Sequence, residues 1–232
     1  MGLFSRRQTD TTTPARPQPT PRPPKKHGPY DISERKVRPG YLDLGALKLP
    51  QIPGIGIQMN VTPDRRSILG VTYQLGNSVM SVAVFAAPRS RGLWEEIRGE
   101  IAASIEKDGG RVAVGQGPFG PEVQATVMVP GPDGRQGVLP VRVLGIDGPR
   151  WFVRAMLRGP LAAQAPNPDK LNAAENILSA IIVERGKDPM PPRAPLELRP
   201  VGLEGEGVNV DASASPLLDP NASRGPSMTE TR

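Results

Sequence analysis

The stretch 147–159 reads Asp-Gly-Pro-Arg-Trp-Phe-Val-Arg-Ala-Met-Leu-Arg-Gly and concentrates the chain's most chemically pointed side chains. In a strand, successive side chains alternate between faces. Arg150, Phe152, Arg154, Met156 and Arg158 then share one face, and Trp151, Val153, Ala155 and Leu157 the other. Guanidinium groups aligned on one face suit an anion or a nucleic-acid backbone, because each offers a planar fork of donors. Phe152 and Met156 between them suit a protein surface instead, since arginine and aromatic side chains are enriched where binding energy concentrates. Against both stands the plain reading of a wet sheet face or an edge strand, where arginine also blocks unwanted pairing.

Catalytic chemistry is thinly supplied. The chain has one histidine, His27, and no cysteine. His27 reads as part of a basic, proline-rich tail, so the folding middle offers no thiolate nucleophile, no histidine-based triad and no zinc site of Cys and His. Glu95 and Glu96 lie beside an apolar stripe of helical spacing and read as a solvated face. Asp64 and Asp147 fall in turns, where aspartate is common for backbone reasons. The run Gly115-Gln116-Gly117-Pro118-Phe119-Gly120 matches G-x-G-x-x-G. A dinucleotide site needs those glycines to open a helix. Here Pro118 and Pro121 intervene and a strand pattern follows, so the run reads as a loop between strands. No enzyme activity, cofactor or metal is expected.

These residues must be positioned by an ordered scaffold, and hydrophobic period supplies one. Leu42, Leu44, Leu47 and Leu49 suggest an extended segment broken at Gly45. Residues 55–61 alternate with period two, 68–75 follow after a turn, and 79–87 are almost wholly apolar, as in a covered central strand. Trp94, Ile97, Ile101 and Ile105 recur at helical spacing over 90–108, with Ser90 as the expected cap and Gly109-Gly110 as the stop. Strands are expected at 111–115, 122–129, 136–146 and 151–158. A second helix is expected over 169–185, with Leu171, Ala174, Leu178, Ile181 and Ile182 as its stripe. Hairpin-length connections require antiparallel pairing. The prediction is an α+β domain: a mostly antiparallel sheet of about seven strands, in the order βββ-α-ββββ-α, covered by two helices. That order of elements is similar to Mog1/PsbP-like domains, a likeness that carries no function.

The chain has 232 residues with 29 Pro and 26 Gly, and the prolines cluster towards the ends. Residues 1–29 carry Arg6, Arg7, Arg16, Arg22, Lys25 and Lys26 against Asp10, a net of +5. They read as a disordered, basic, proline-rich tail. Residues 30–188 read as one domain, in which 30–33 dock at its start. Residues 189–232 read as a disordered, proline-rich, acidic tail. No apolar leader and no membrane-spanning stretch are visible, so a cytoplasmic location is expected.

The run Gly28-Pro29-Tyr30-Asp31, then Tyr41 to Leu47, Pro88 with Trp94, Gly148-Pro149-Arg150-Trp151 and Arg158-Gly159-Pro160, resembles an uncharacterised actinobacterial family, the domain of unknown function 3710. The resemblance spans about 28–200 and implies a single domain between variable tails. It brings no catalytic residue. The functional expectation is a non-enzymatic protein-interaction domain with an unidentified protein partner. The alternative is an anion or nucleic-acid binder that uses the arginine-bearing strand and the basic N-terminal arm.

Overall fold

The computed structural model describes residues 27–62, 64, 67–90, 92–130 and 135–201. The tail assignments for 1–26 and 202–232 lie outside them. In chain order the elements are β1 (Tyr30–Asp31), β2 (Tyr41–Asp43), β3 (Leu47–Pro50), β4 (Ile57–Val61), β5 (Ile68–Leu75) and β6 (Ser78–Ala86), then helix α1 (Trp94–Lys107). The second half holds β7 (Arg111–Gly117), β8 (Gly120–Pro130), β9 (Gln136–Asp147), β10 (Trp151–Arg158), helix α2 (Pro168–Ala180) and β11 (Ile182–Val183).

Seven of these strands form one antiparallel sheet in the spatial order β4-β5-β6-β10-β9-β8-β7. The protein is thus α+β, with the seven strands and two helices that hydrophobic period predicts. The centre, β6 and β10, is the most apolar, because it is covered on both faces. One face carries Phe85, Val123, Val143, Phe152 and Met156, covered by Trp94 and Ile105 of α1. The other carries Val71, Tyr73, Val82, Leu144 and Val153, covered by α2 and a second sheet.

That second sheet was not visible in the sequence pattern. It has four short strands in the order β1-β11-β3-β2. Its formation also corrects the second helix, which ends at Ala180 rather than 185. Ile181, Ile182 and Val183 are three consecutive β-branched residues, which favour strand over helix. Ile182 and Val183 pair with Lys48 and Leu47 on one side and with Tyr30 and Asp31 on the other. The hydroxyl of Tyr41 donates to the Ala180 carbonyl at 2.9 Å, satisfying a group the helix end leaves free.

The C-terminal boundary is corrected too. Composition assigns residues 189–201 to a tail, yet 193–201 are stitched into the domain. β5 pairs with β6 only as far as Val82, leaving the last residues of β6 open on that side. Leu196 N–H donates to the Val84 carbonyl, Ala86 N–H to Ala194, and Arg193 N–H to Ala86. Leu198 then reaches the Ile68 carbonyl, and Arg199 and Val201 reach Leu44 and Asp43. Leu196 and Leu198 enter the core between the two sheets. Proline-rich composition here marks a segment that pairs on one edge only, which proline tolerates.

Candidate functional site

The arginine-bearing strand comes first. β10 alternates as expected: Phe152 and Met156 belong to the cluster under α1, and Trp151, Val153, Ala155 and Leu157 to the opposite core. The shared face is nevertheless not an open one. Phe152, Arg154 and Met156 are buried, Arg154 to 5% exposure. The Arg154 guanidinium lies 5.2 Å over the Phe85 ring, a cation–π geometry. Arg158 is half-buried, and burial holds its guanidinium below the usual arginine range. Arg150 precedes the strand, in the turn after Asp147, with φ of 63°. The five residues are therefore not presented together: the helix that completes the layer covers the middle of the row.

Charge is instead gathered on the opposite face of β8 and β9. Arg142 of β9 donates from Nε to Glu122 of β8 at 2.6 Å, and from Nη2 to Glu175 of α2 at 3.0 Å. Gln124, directly opposite Arg142 in the ladder, donates to the same Glu122 oxygen at 2.8 Å. Glu122 is 1% exposed, and its other oxygen, Oε2, is buried with no hydrogen-bond partner. Burial pushes the Glu175 carboxyl above its usual range, although Arg142 pulls it the other way. Two carboxylates on one guanidinium leave a net negative charge behind the strand pair. Sequence reasoning missed this cluster because Glu122, Arg142 and Glu175 stand on three separate elements. The readable signal is the charged pair Glu122 and Arg142 inside apolar strands.

Gly117 makes room for Glu122. A Cβ on Gly117 would lie 2.3 Å from Glu122 Oε2 and 3.2 Å from Arg142 Nη2. The G-x-G-x-x-G run, expected as a loop between strands, is mostly strand: Gly115 and Gly117 end β7 and Gly120 opens β8. β7 and β8 pair directly, with Gly117 opposite Gly120 across Pro118-Phe119.

A cleft of about 600 Å³ opens at this end of the sheet, lined by His27, Trp94, Phe119, Pro121, Ile146 and Asp147 among others. Its carboxylate is already engaged: Asp147 accepts from the Leu93 and Trp94 N–H groups at 2.7 and 3.3 Å. It caps α1, so the expected Ser90 cap is replaced by a residue more than fifty positions away. Among the described residues, no group of three or more His, Asp or Glu side chains could hold a metal ion.

β7 is the outermost strand beyond this charge. Two prolines set the phase of its ladder. Pro121 faces Gln116 and Pro140 faces Thr126. Neither proline has an N–H to give, so each occupies a non-hydrogen-bonded pair. Alternation then directs the backbone groups of Arg111, Ala113, Gly115 and Gly117 inward to β8. Those of Val112, Val114 and Gln116 point outward. Val114 is 61% exposed. The strand pairs with β8 in unbroken register and has no charge after Arg111. The opposite edge, β4, has its register interrupted at Asn60 and Val61.

No helix among the described residues is long and apolar enough to cross a membrane. No curated protein and no solved structure matches the chain, so the Mog1/PsbP-like order of elements remains a likeness of pattern. A family model described as "Protein of unknown function (DUF3710)" matches residues 28–202. The match runs from the first residues before β1 to the end of the C-terminal segment. The match covers most of the chain, and the protein belongs to the DUF3710 family.

Proposed function

We propose that this is a non-enzymatic protein-interaction domain that binds by adding a strand to the β7 edge. The carrying observation is the edge itself: outward N–H and C=O groups at Val112, Val114 and Gln116, in a regular, uncharged strand. Soluble proteins usually blunt such an edge with a bulge, a proline or a charge. Strand addition uses those groups for affinity and the alternating side chains for selectivity. The titratable groups nearby support a structural role, since the Asp147 carboxylate is spent on a helix cap and Arg142 on two carboxylates. For the anion reading, burial of Arg154 removes the middle of its row.

The test is photo-crosslinking from position 114 in the full chain, with crosslinked species identified by mass. Val114→Pro removes an outward N–H without touching the β8 ladder, so the fold should survive. As unlabelled competitors of that capture, native chain should be at least tenfold more effective than Val114→Pro. Equal competition by both would overturn the edge reading. Turnover of any substrate that vanishes in Glu122→Gln or Glu175→Gln, with the fold intact, would overturn the non-enzymatic one.

A further inference from the structure

We propose that the partner of the β7 edge is a second copy of this chain, paired β7 to β7 about a two-fold axis at Val114. The inference rests on the strand-addition reading above and adds the identity of the partner.

Two-fold pairing of a strand with itself must be antiparallel and self-complementary. Centred on Val114, it sets Val114 opposite Val114 of the second copy and Val112 opposite Gln116. These are the residues whose backbone groups point outward, so about six N–H···O bonds form across the axis with no bond lost to β8. Other centres pair the outward groups less completely or bring Pro118, which has no N–H, into the ladder. Opposite residues share a face, so the exposed valines meet side by side.

Charge supports the same register. Arg111 is the only charged residue of β7, is exposed, and has no ion pair among the described residues. In this register it stands opposite Gly117 of the other copy. Non-hydrogen-bonded neighbours of this kind lie about 4.5 Å apart between Cα atoms. Gly115 and Gly117 share their sheet face with Glu122, which faces Gly115 in the ladder. Arg111 of one copy therefore rises on the face where Gly117 of the other, lacking a Cβ, leaves the Glu122 carboxylate directly beside the strand. The net negative charge of Glu122, Arg142 and Glu175 receives the cation it lacks, once per copy. The two Arg111 side chains lie at opposite ends of the interface and do not repel.

The chain has no cysteine, which makes the test direct. Val114→Cys should form a disulfide-linked dimer on mild oxidation, since hydrogen-bonded cross-strand Cα atoms stand about 5.5 Å apart, within disulfide reach. Val138→Cys, equally exposed but away from the edge, should not. Sedimentation of the full chain should show a dimer. Arg111→Glu should weaken it at least tenfold, and Val114→Pro should yield a monomer with unchanged helix and sheet content. A chain that stays monomeric at high micromolar concentration, or a Val138→Cys link as fast as that of Val114→Cys, overturns the proposal. If that monomer still captures another protein through position 114, the edge reading stands and only self-pairing fails. A dimer that persists in Val114→Pro places the interface elsewhere and overturns self-pairing at β7.

Discussion

Asp147 shows how one carboxylate can be consumed by structure. It accepts the first free N–H groups of α1 from across the sheet, where the helix's own preceding residue, Leu93, supplies no side-chain cap. Asp147→Ala should cost about 1 kcal/mol, a normal figure for a lost cap, read as a lower urea midpoint with unchanged slope. Asp147→Asn should lose less, because its oxygen still accepts. Glu175 makes a pH prediction. Burial raises its folded pKa above the ordinary 4.5. Just above the ordinary value, the folded chain therefore still holds a proton there that the unfolded chain has released. This contribution to stability is present below the ordinary value and is lost as pH rises through the raised one. Glu175→Gln should flatten that part of the stability profile, measured as urea midpoints between mildly acidic and neutral pH. A contribution from Glu175 that grows with pH over this window would mean that its pairing with Arg142 outweighs its burial.

The helices were legible as elements because apolar residues recurred at helical spacing, but their depth was not. Of the α1 stripe, Trp94 and Ile105 are buried, while Ile97 and Ile101 are half-buried at the rim. Ile105→Asp should therefore unfold the domain, since a buried unpaired charge costs several kcal/mol against a total of about 5–15. Ile101→Asp should leave a folded, weakened protein. Thermal unfolding of the two variants checks the order. The C-terminal segment is an element that periodicity could not reveal, because proline and short length hide a strand that pairs on one side. It is held by Leu196 and Leu198 and by Arg193, which bridges to Glu96 and Glu100 of α1. Burying each leucine contributes about 1.5–3 kcal/mol. A chain ending at 188 should thus lose several kcal/mol relative to one ending at 202, measured by chemical denaturation.

At the scale of the whole molecule, two sheets, two helices and the C-terminal segment share one continuous body, and residues 28–202 should unfold in a single transition. Coincident loss of helix signal and tryptophan emission would show it; separate midpoints would mean that the small sheet unfolds on its own. The sequence by itself determined the long strands, both helices and their order, because burial on one or two faces writes a period of two or 3.6 into any element several residues long. The phase of the β7 ladder needed both: Pro121 and Pro140 lack N–H groups, and the register of the folded sheet decides which residues they face. Only the tertiary structure decided which faces are covered. Alternation places Arg154 with Phe152 and Met156, yet nothing local says that α1 lies over them. The second sheet depended on it as well, since strands of two to four residues carry no period, and Tyr30 meets Ile182 from the far end of the domain. The Glu122–Arg142–Glu175 cluster has the same origin: it exists only where three separate elements converge, and pairing across that distance leaves no local trace.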